Sequence, residues 1–434
     1  MPGRVAGHRL HPGRSRTAAH QQHQTESPYE DPVPDRPTPA LDRLVATDLA
    51  TFTDQHWGRQ ALLSRAADLP QPFTDLLDER SVDELVSERG LRAPFLRVAK
   101  SGQTLSDRSF TAPGGVGAGI ADQVSDSKLV ALFGDGATIV LQALHRVWPP
   151  IIDFVGALAS ELGHPVQANA YVTPPQNQGF DDHYDVHDVF VLQVSGAKRW
   201  RVHAPVWESP LRDQPWTDRR AAVQRAAAEP PLIEAVLEPG DCLYLPRGFL
   251  HAATALGGVS THLTLGVHTW TRLTLAEQLT AQALRSLAAD ADLRASLALG
   301  TDPTRPDTLA ADVDRVRAAL VDAVRAADLD TLAAALQRSD RDSRRPAPVG
   351  PLRQLDAVAA LVPGTLVRLR EHLAASLDSA AGRGVLRSRA GELALDEADV
   401  APVQALLDEG SANVADLGED LARRLLLGAV VVAD

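Results

Sequence analysis

Two stretches of the chain alternate polar and apolar positions with a period of two. Across residues 166–173, Gln167, Asn169, Tyr171 and Thr173 fall on one face and Val166, Ala168, Ala170 and Val172 on the other, the side-chain pattern of an extended strand. Residues 260–268 repeat the design, with Ser260, His262, Thr264 and His268 opposite Thr261, Leu263, Leu265 and Val267. Two strands with polar faces can line a cavity. Between them lie further strand candidates at 189–194, 198–203 and 242–245, punctuated by Ser195-Gly196, Pro239-Gly240-Asp241 and Pro246-Arg247-Gly248. Short strands at this density predict a β-barrel or a double-sheet jelly roll.

On either side the period lengthens to that of a helix. Val82, Leu85, Val86 and Leu91 mark short helices within 41–92, Ser127 or a neighbour caps a helix into Phe133, and Trp148-Pro-Pro opens another through Leu162. The glycine-rich run 113–119 (PGGVGAG) lacks the Lys-Ser/Thr ending of a phosphate loop and reads as a turn. After Trp270, Leu273, Leu275 and Leu279 begin one amphipathic run, and Val313, Val316, Leu320, Val324, Leu329, Leu332 and Leu336 a second. A charged, proline-containing linker is expected over 338–348, followed by a small separate module with a Gly-Arg-Gly turn at 382–384. Residues 1–40, rich in Pro, Arg, His and Gln, show no apolar periodicity and read as a disordered tail; its His8, His11, His20 and His23 define no metal geometry. The expected organisation is therefore a tail (1–40), a main domain (41–270, barrel core about 165–270), a helical segment with linker (271–345) and a C-terminal module (346–434).

Composition sharpens this division. Ten of the 19 aromatic residues and six of the 14 histidines lie within 169–270, and no aromatic follows Trp270. The single cysteine, Cys242, excludes an internal disulfide or a multi-cysteine zinc site and points to a reducing, cytoplasmic setting. No window approaches the length of a membrane-spanning helix. A net charge of -13 argues against broad nucleic-acid binding.

The chemistry concentrates at His183-Tyr184-Asp185. Alternation turns His183 and Asp185 to one point and Tyr184 away from it, into packing. A metal needs a third ligand, for which His251, just after the Pro-Arg-Gly turn, is the candidate. Two histidines and one carboxylate leave coordination positions open, which suits non-haem Fe(II) binding a co-substrate and O₂, although zinc accepts the same donors. Each residue also has a plain structural use, His251 capping a turn carbonyl and Asp185 forming a turn. His187 follows the same parity and reads as a rim residue, His262 shares a face with Thr264, His203 and His268 read as strand ends, and Cys242 as buried packing.

Taken together, Asn169-Ala-Tyr-Val-Thr-Pro-Pro, Gln178-Gly-Phe-Asp-Asp-His183-Tyr-Asp185, Asp188 through Lys198-Arg-Trp200, Gly240 through His251 and Ser260-Thr-His-Leu-Thr264 closely resemble the JmjC-type cupins of the ribosomal oxygenase group. The motifs cover about 100 residues in the family order; Phe133-Gly-Asp-Gly-Ala-Thr and Trp148-Pro-Pro extend the likeness to about 45–270. The resemblance implies a mixed α and β chain built on a double-stranded β-helix with flanking helices. It implies Fe(II) held by His183, Asp185 and His251, with 2-oxoglutarate as co-substrate and O₂ as oxidant. Lys198 falls at the position of the lysine that holds the far carboxylate of 2-oxoglutarate, and Thr264, Asn169 and Tyr171 at positions that help bind it. A lysine is notable in a chain whose 43 basic residues include only Lys100, Lys128 and Lys198 besides arginine. The expected activity is hydroxylation of a side chain in a protein or peptide, such as a ribosomal protein. N-methyl-lysine demethylation on the same fold and a non-catalytic metal-binding cupin are the alternatives. The resemblance further implies that helices after Trp270 mediate homodimerisation and that the C-terminal module is winged-helix-like.

Overall fold

A computed structural model describes residues 37–100, 102–380 and 383–433. The tail expected over 1–40, with His8, His11, His20 and His23, lies outside the described residues as far as residue 36, as does Gly382 of the expected Gly-Arg-Gly turn.

A nine-stranded antiparallel sheet dominates the first part. Its centre is a pair of long strands, Asp188–His203 and Leu250–Val267, flanked by Val166–Thr173, Thr138–Leu141 and Leu96–Lys100 on one side and by Cys242–Leu245 and Leu62–Ser64 on the other. Ile233–Leu237 pairs with the far half of Asp188–His203. The register of the alternating strands places Thr264 opposite Asn169, and His262 opposite Tyr171, so the two polar faces read from the sequence are one continuous surface.

Two expectations change here. The stretches 189–194 and 198–203 are one strand, because Ser195-Gly196 makes a bulge, not a turn. The ladder slips between Leu256 and His262. Gly196 sits at φ +63°, and a Cβ there would fall 2.1 Å from the Val259 carbonyl oxygen, so only glycine fits. Gln193 fastens the bulge, its Nε2 donating to the Ser195 carbonyl, the Gly196 carbonyl and Ser260 Oγ. Likewise 260–268 is the second half of a strand that begins at Leu250, and the bend lets each long strand serve both walls of the barrel.

Helices pack outside. Pro149–Leu162 begins at the expected prolines and buries Ile151, Phe154, Val155 and Leu158 against the apolar backs of the strands, including Ala168 and Ala170. Asp126–Gly134 and Glu79–Ser87 are also helical, the latter capped by Asp78 accepting from Ser81 N at 2.7 Å. Leu62–Ser64, expected among short helices, instead extends the sheet edge against Cys242–Leu245. After Trp270 come Arg272–Ala289, Pro306–Arg325 and Leu329–Ser343. The second amphipathic run is thus two helices, since Asp328 starts a new one by accepting from Thr331 N at 2.7 Å, and the linker expected from 338 is helical as far as Ser343. The C-terminal part has its own core, including Val367, Leu386, Leu406 and Leu425. It combines the helices Pro351–Ala359, Glu397–Glu409 and Glu419–Leu427 with two three-stranded antiparallel sheets.

Asp188 is the buried hub that fixes the turn before His251. Its Oδ2 accepts from the Tyr244 hydroxyl at 2.7 Å, and its Oδ1 from Arg247 N at 3.1 Å; the same hydroxyl accepts from Gly58 N at 2.8 Å. Replacing Tyr244 by Phe leaves a buried carboxylate oxygen and a backbone N–H unpaired at almost unchanged volume. The expected loss is about 1–3 kcal/mol, read as a lower urea midpoint with an unchanged slope.

Candidate metal centre

Residues 177–185 run antiparallel beside 248–255 as an extra strip of chain. His183 N donates to His251 O at 3.2 Å and His251 N to His183 O at 2.8 Å; Ala255 N donates to Asn177 O, and Gly248 N to Asp185 O, both at 3.0 Å. Residues that exchange both bonds across an antiparallel pair point their side chains to the same face, so His183 faces His251, and Asp185, two residues on, joins them. Gly248 makes the approach possible. It sits at φ +92°, and a Cβ would lie 2.5 Å from the Trp207 carbonyl oxygen.

The outcome is a compact donor set. One ligand atom from each of His183, Asp185 and His251 lies within 4.8 Å of the others, with His251 Nε2 3.7 Å from Asp185 Oδ2. Both imidazoles are oriented from behind: the Nδ1 of His183 lies 2.7 Å from Asp181 O, and that of His251 3.1 Å from Phe249 O. A carbonyl accepts only from N–H, so Nδ1 carries a proton in each ring and Nε2 is the nitrogen left for the centre. Burial, aided by His183, pushes the His251 imidazole down to about 4. Burial works against ionisation of Asp185, but His187, then His251 and His183, outweigh it and hold the carboxyl below its ordinary value. Two imidazole nitrogens and a carboxylate on one face fit a divalent transition metal with open positions.

A cavity of about 230 Å³ opens from these three residues. At its other end Lys198 is 3% exposed. Its Nζ donates to Thr173 Oγ1 at 3.1 Å and lies 3.4 Å from His262 Nδ1, with no carboxylate in ion-pair range among the described residues. Burial pushes this ammonium down to about 7. A buried cation without a counter-ion is costly, and the cavity in front of it leaves room for one.

Three of the four residues expected around a co-substrate line this cavity: Lys198, Tyr171 and Thr264. Asn169 does not; its Oδ1 accepts from Ala143 N at 3.0 Å, so its carboxamide holds the chain after Thr138–Leu141. His262 stacks on Tyr171 with centroids 4.9 Å apart. Tyr184 is buried with its hydroxyl donating to Gln214 O, and His187 turns to Gln167 and His268, outside the donor set. Cys242 is wholly buried and its thiol is pushed up by burial and by Asp241. Thr173, Thr138, Arg97, Phe180 and Trp216 also line the cavity. Thr173 was visible as the last member of the alternating polar face; Arg97 and Trp216 come from distant segments with no local pattern to announce them.

Residues 151–275 match the family model described as JmjC domain. Among curated proteins, ribosomal oxygenase 1 of Rattus norvegicus is 39% identical over 144 residues, 32% of this chain and 24% of that protein. The bifunctional lysine-specific demethylase and histidyl-hydroxylase NO66 of Drosophila mojavensis is 32% identical over 224 residues, 50% of this chain and 23% of that one. The chain spans about a quarter of the length of either relative. The structure of the Escherichia coli ribosomal oxygenase YcfD in complex with cobalt and 2-oxoglutarate superimposes with a TM-score of 0.53 at 16% identity, over 90% of this chain and 99% of that one, a likeness of fold. Residues 151–275 are thus similar to a JmjC domain, and over nine tenths of its length the chain shares the fold of that ribosomal oxygenase.

Proposed function

We propose that the protein is an Fe(II)- and 2-oxoglutarate-dependent oxygenase that hydroxylates a side chain of a protein or peptide. The observation that carries this reading is the pairing, in one cavity, of the His183–Asp185–His251 donor set with the uncompensated ammonium of Lys198. His183, Asp185 and His251 would hold the iron. Bound there, Fe(II) supplies the activation of O₂ for insertion of oxygen into a C–H bond, with 2-oxoglutarate as the reducing co-substrate.

The chain's own residues have separable tasks. Asp185 brings the single negative charge of the donor set. Lys198 holds the remote carboxylate of 2-oxoglutarate by a charge-assisted hydrogen bond. Thr173 accepts one ammonium proton, which orients the remainder towards the cavity. Tyr171, His262 and Thr264 form the wall beside that carboxylate, while Phe180 and Trp216, the latter 6.3 Å from the His183 ring, restrict water near the donor set.

The relatives' names favour ribosomal-protein substrates, and an acidic chain attracts basic ones by long-range steering. The NO66 relatives carry both hydroxylase and demethylase in their name, and the product separates these: formaldehyde from a methylated peptide, or a stable peptide heavier by one oxygen. In the same reading the helices of 271–345 join two copies of the chain, on the exposed Leu273, Leu275 and Leu284, the module boundaries fall near 270 and 345, and the protein works in the cytoplasm. No helix among the described residues is long and apolar enough to cross a membrane.

Asp185→Ala is expected to abolish succinate formation from 2-oxoglutarate and to weaken Fe(II) or Mn(II) binding by at least about tenfold, since a carboxylate ligand is lost. A variant that still converts 2-oxoglutarate at the parent rate removes the proposed function, and clean metal binding without turnover on any peptide supports the non-catalytic cupin.

Lys198 gives a signed pH effect. Its ammonium is neutral in the free protein above about pH 7, and an anionic ligand binds the charged form. Affinity for 2-oxoglutarate is therefore greatest below pH 7 and falls by up to about tenfold per pH unit above it, until the pKa of the bound form is reached. Titration calorimetry at pH 8 in two buffers of different ionisation enthalpy should show uptake of about one proton on binding, absent in Lys198→Met.

A further inference from the structure

A second cavity, of about 380 Å³, lies away from the metal centre, between the helix Pro149–Leu162 and the C-terminal part of the chain. Five arginines line it, Arg146, Arg344, Arg345, Arg370 and Arg389, against one acidic lining residue, Asp153. The neighbouring Asp340 neutralises part of that charge, bonding Arg389 Nη2 at 2.5 Å and lying 2.7 Å from Arg344 Nε. Among the described residues no carboxylate lies within ion-pair distance of Arg146, Arg345 or Arg370. Arg146 reaches only the Ser343 carbonyl, at 3.5 Å, and Arg370 only the carbonyls of Ala347 and Ala429.

The cluster is built, not a loose surface patch. Arg389 is 5% exposed; its Nη1 donates to His372 O at 2.6 Å, yet its Nε has no partner. Arg344 Nη1 donates to Ala159 O at 2.8 Å, tying the connecting segment to the helix. His372 lies so close to Gly156 that a Cβ there would be 2.6 Å from its Nε2, and Ser160 Oγ is 3.1 Å from its Nδ1. Burial and the neighbouring Arg345 hold the Arg146 guanidinium below its ordinary value, and burial does the same to Arg370. A concave site in which Arg146 and Arg370 are partly desolvated, Arg345 stands exposed beside them and Arg389 keeps a buried donor without a partner is half of an ion pair.

We propose that this cavity binds an organic phosphate, a small phosphate ester whose charged group is held by Arg146 and Arg345 and whose organic part rests on the apolar wall of Ile152, Val155 and Val349. Guanidinium forks match phosphate oxygens in pairs, which a single carboxylate uses less fully. The volume exceeds the need of a bare ion and falls in the range of small-molecule sites, and the apolar wall gives the remainder of the ligand something to cover. Bound there, the ester touches the barrel-side helix, the connecting segment and the C-terminal part at once, so binding fastens them together.

The test uses the full-length, metal-free protein, which keeps phosphate away from iron, with AMP, ribose 5-phosphate and inorganic phosphate as probes at matched ionic strength. Calorimetry and thermal unfolding are expected to show at least one ester binding more tightly than inorganic phosphate and raising the unfolding midpoint. Arg146→Gln and Arg345→Gln should each weaken that binding by about tenfold or more. Arg345 is exposed, so its replacement leaves the fold intact, and Arg317→Gln, on an exposed helix face, serves as the charge control. The proposal is overturned if no probe binds beyond the effect of sodium chloride, or if Arg345→Gln and Arg317→Gln behave alike. It is equally overturned if sulfate or inorganic phosphate binds as well as the esters, or if an RNA oligomer binds where none of the small phosphates does.

Discussion

The metal centre depends on a pair of backbone hydrogen bonds, those exchanged between His183 and His251. Neither histidine is positioned by its own strand alone. The strip 177–185 has no regular partner until it lies along 248–255, and that pairing sets the parity of all three donors together. A slip of one residue would turn His183 and Asp185 outwards and bring Tyr184 in. Such a slip is resisted at both ends, by Gly248 bonding Asp185 O and by Asn177 bonding Ala255 N, and Tyr184 is itself anchored in a small apolar cluster with Val223 and Leu250. The turn that feeds His251 is in turn held by Asp188, whose carboxylate is satisfied from two directions by Tyr244 and Arg247. Geometry at the centre is therefore a property of the backbone.

The far end of the cavity follows an opposite logic. Where the donor set is oriented and satisfied from behind, Lys198 is buried with less than its full complement of partners. Its strand continues past the Gly196 bulge, and this break in the ladder lets Lys198 pair with Ala255 while Gln193 stays with His262. Lys198 and His251 thus share the half of the strand pair beyond the bulge, and the strip 177–185 adds His183 and Asp185 beside His251. An unrelieved positive charge in a closed site selects anions strongly and makes their binding sensitive to the protonation of one amine.

Much of this was legible in the residues. The period-two faces of 166–173 and 260–268 located the cavity walls, and parity put His183 and Asp185 together and Tyr184 apart, because both rest on local backbone geometry. The Pro-Arg-Gly turn pointed to His251 as the third donor, and the family likeness added the task of Lys198, which no local pattern could join to them. What the residues hid was non-local. Ser195-Gly196 has the composition of a turn, and only the Val259 carbonyl opposite shows that it is a bulge. Asn169 shares the face of Tyr171, but the Ala143 amide takes its oxygen, and nothing near position 169 signals that. The break after Arg325 leaves no mark in the apolar spacing, which runs smoothly across it, while the Asp328 cap is a polar event.

The charge of the chain illustrates the same separation of scales. A net charge of -13 describes the surface potential felt at a distance, yet both cavities carry cations at short range, one Lys198 and the other its arginines. These are compatible because screening in water removes the distant field within about 8–10 Å, whereas a buried guanidinium or ammonium is screened far less. An acidic exterior repels anions weakly and from afar; a desolvated cation attracts them strongly and only within its cavity. Attraction of small anions at short range is accordingly a matter of burial at a few positions, and attraction or repulsion of large partners a matter of the net charge.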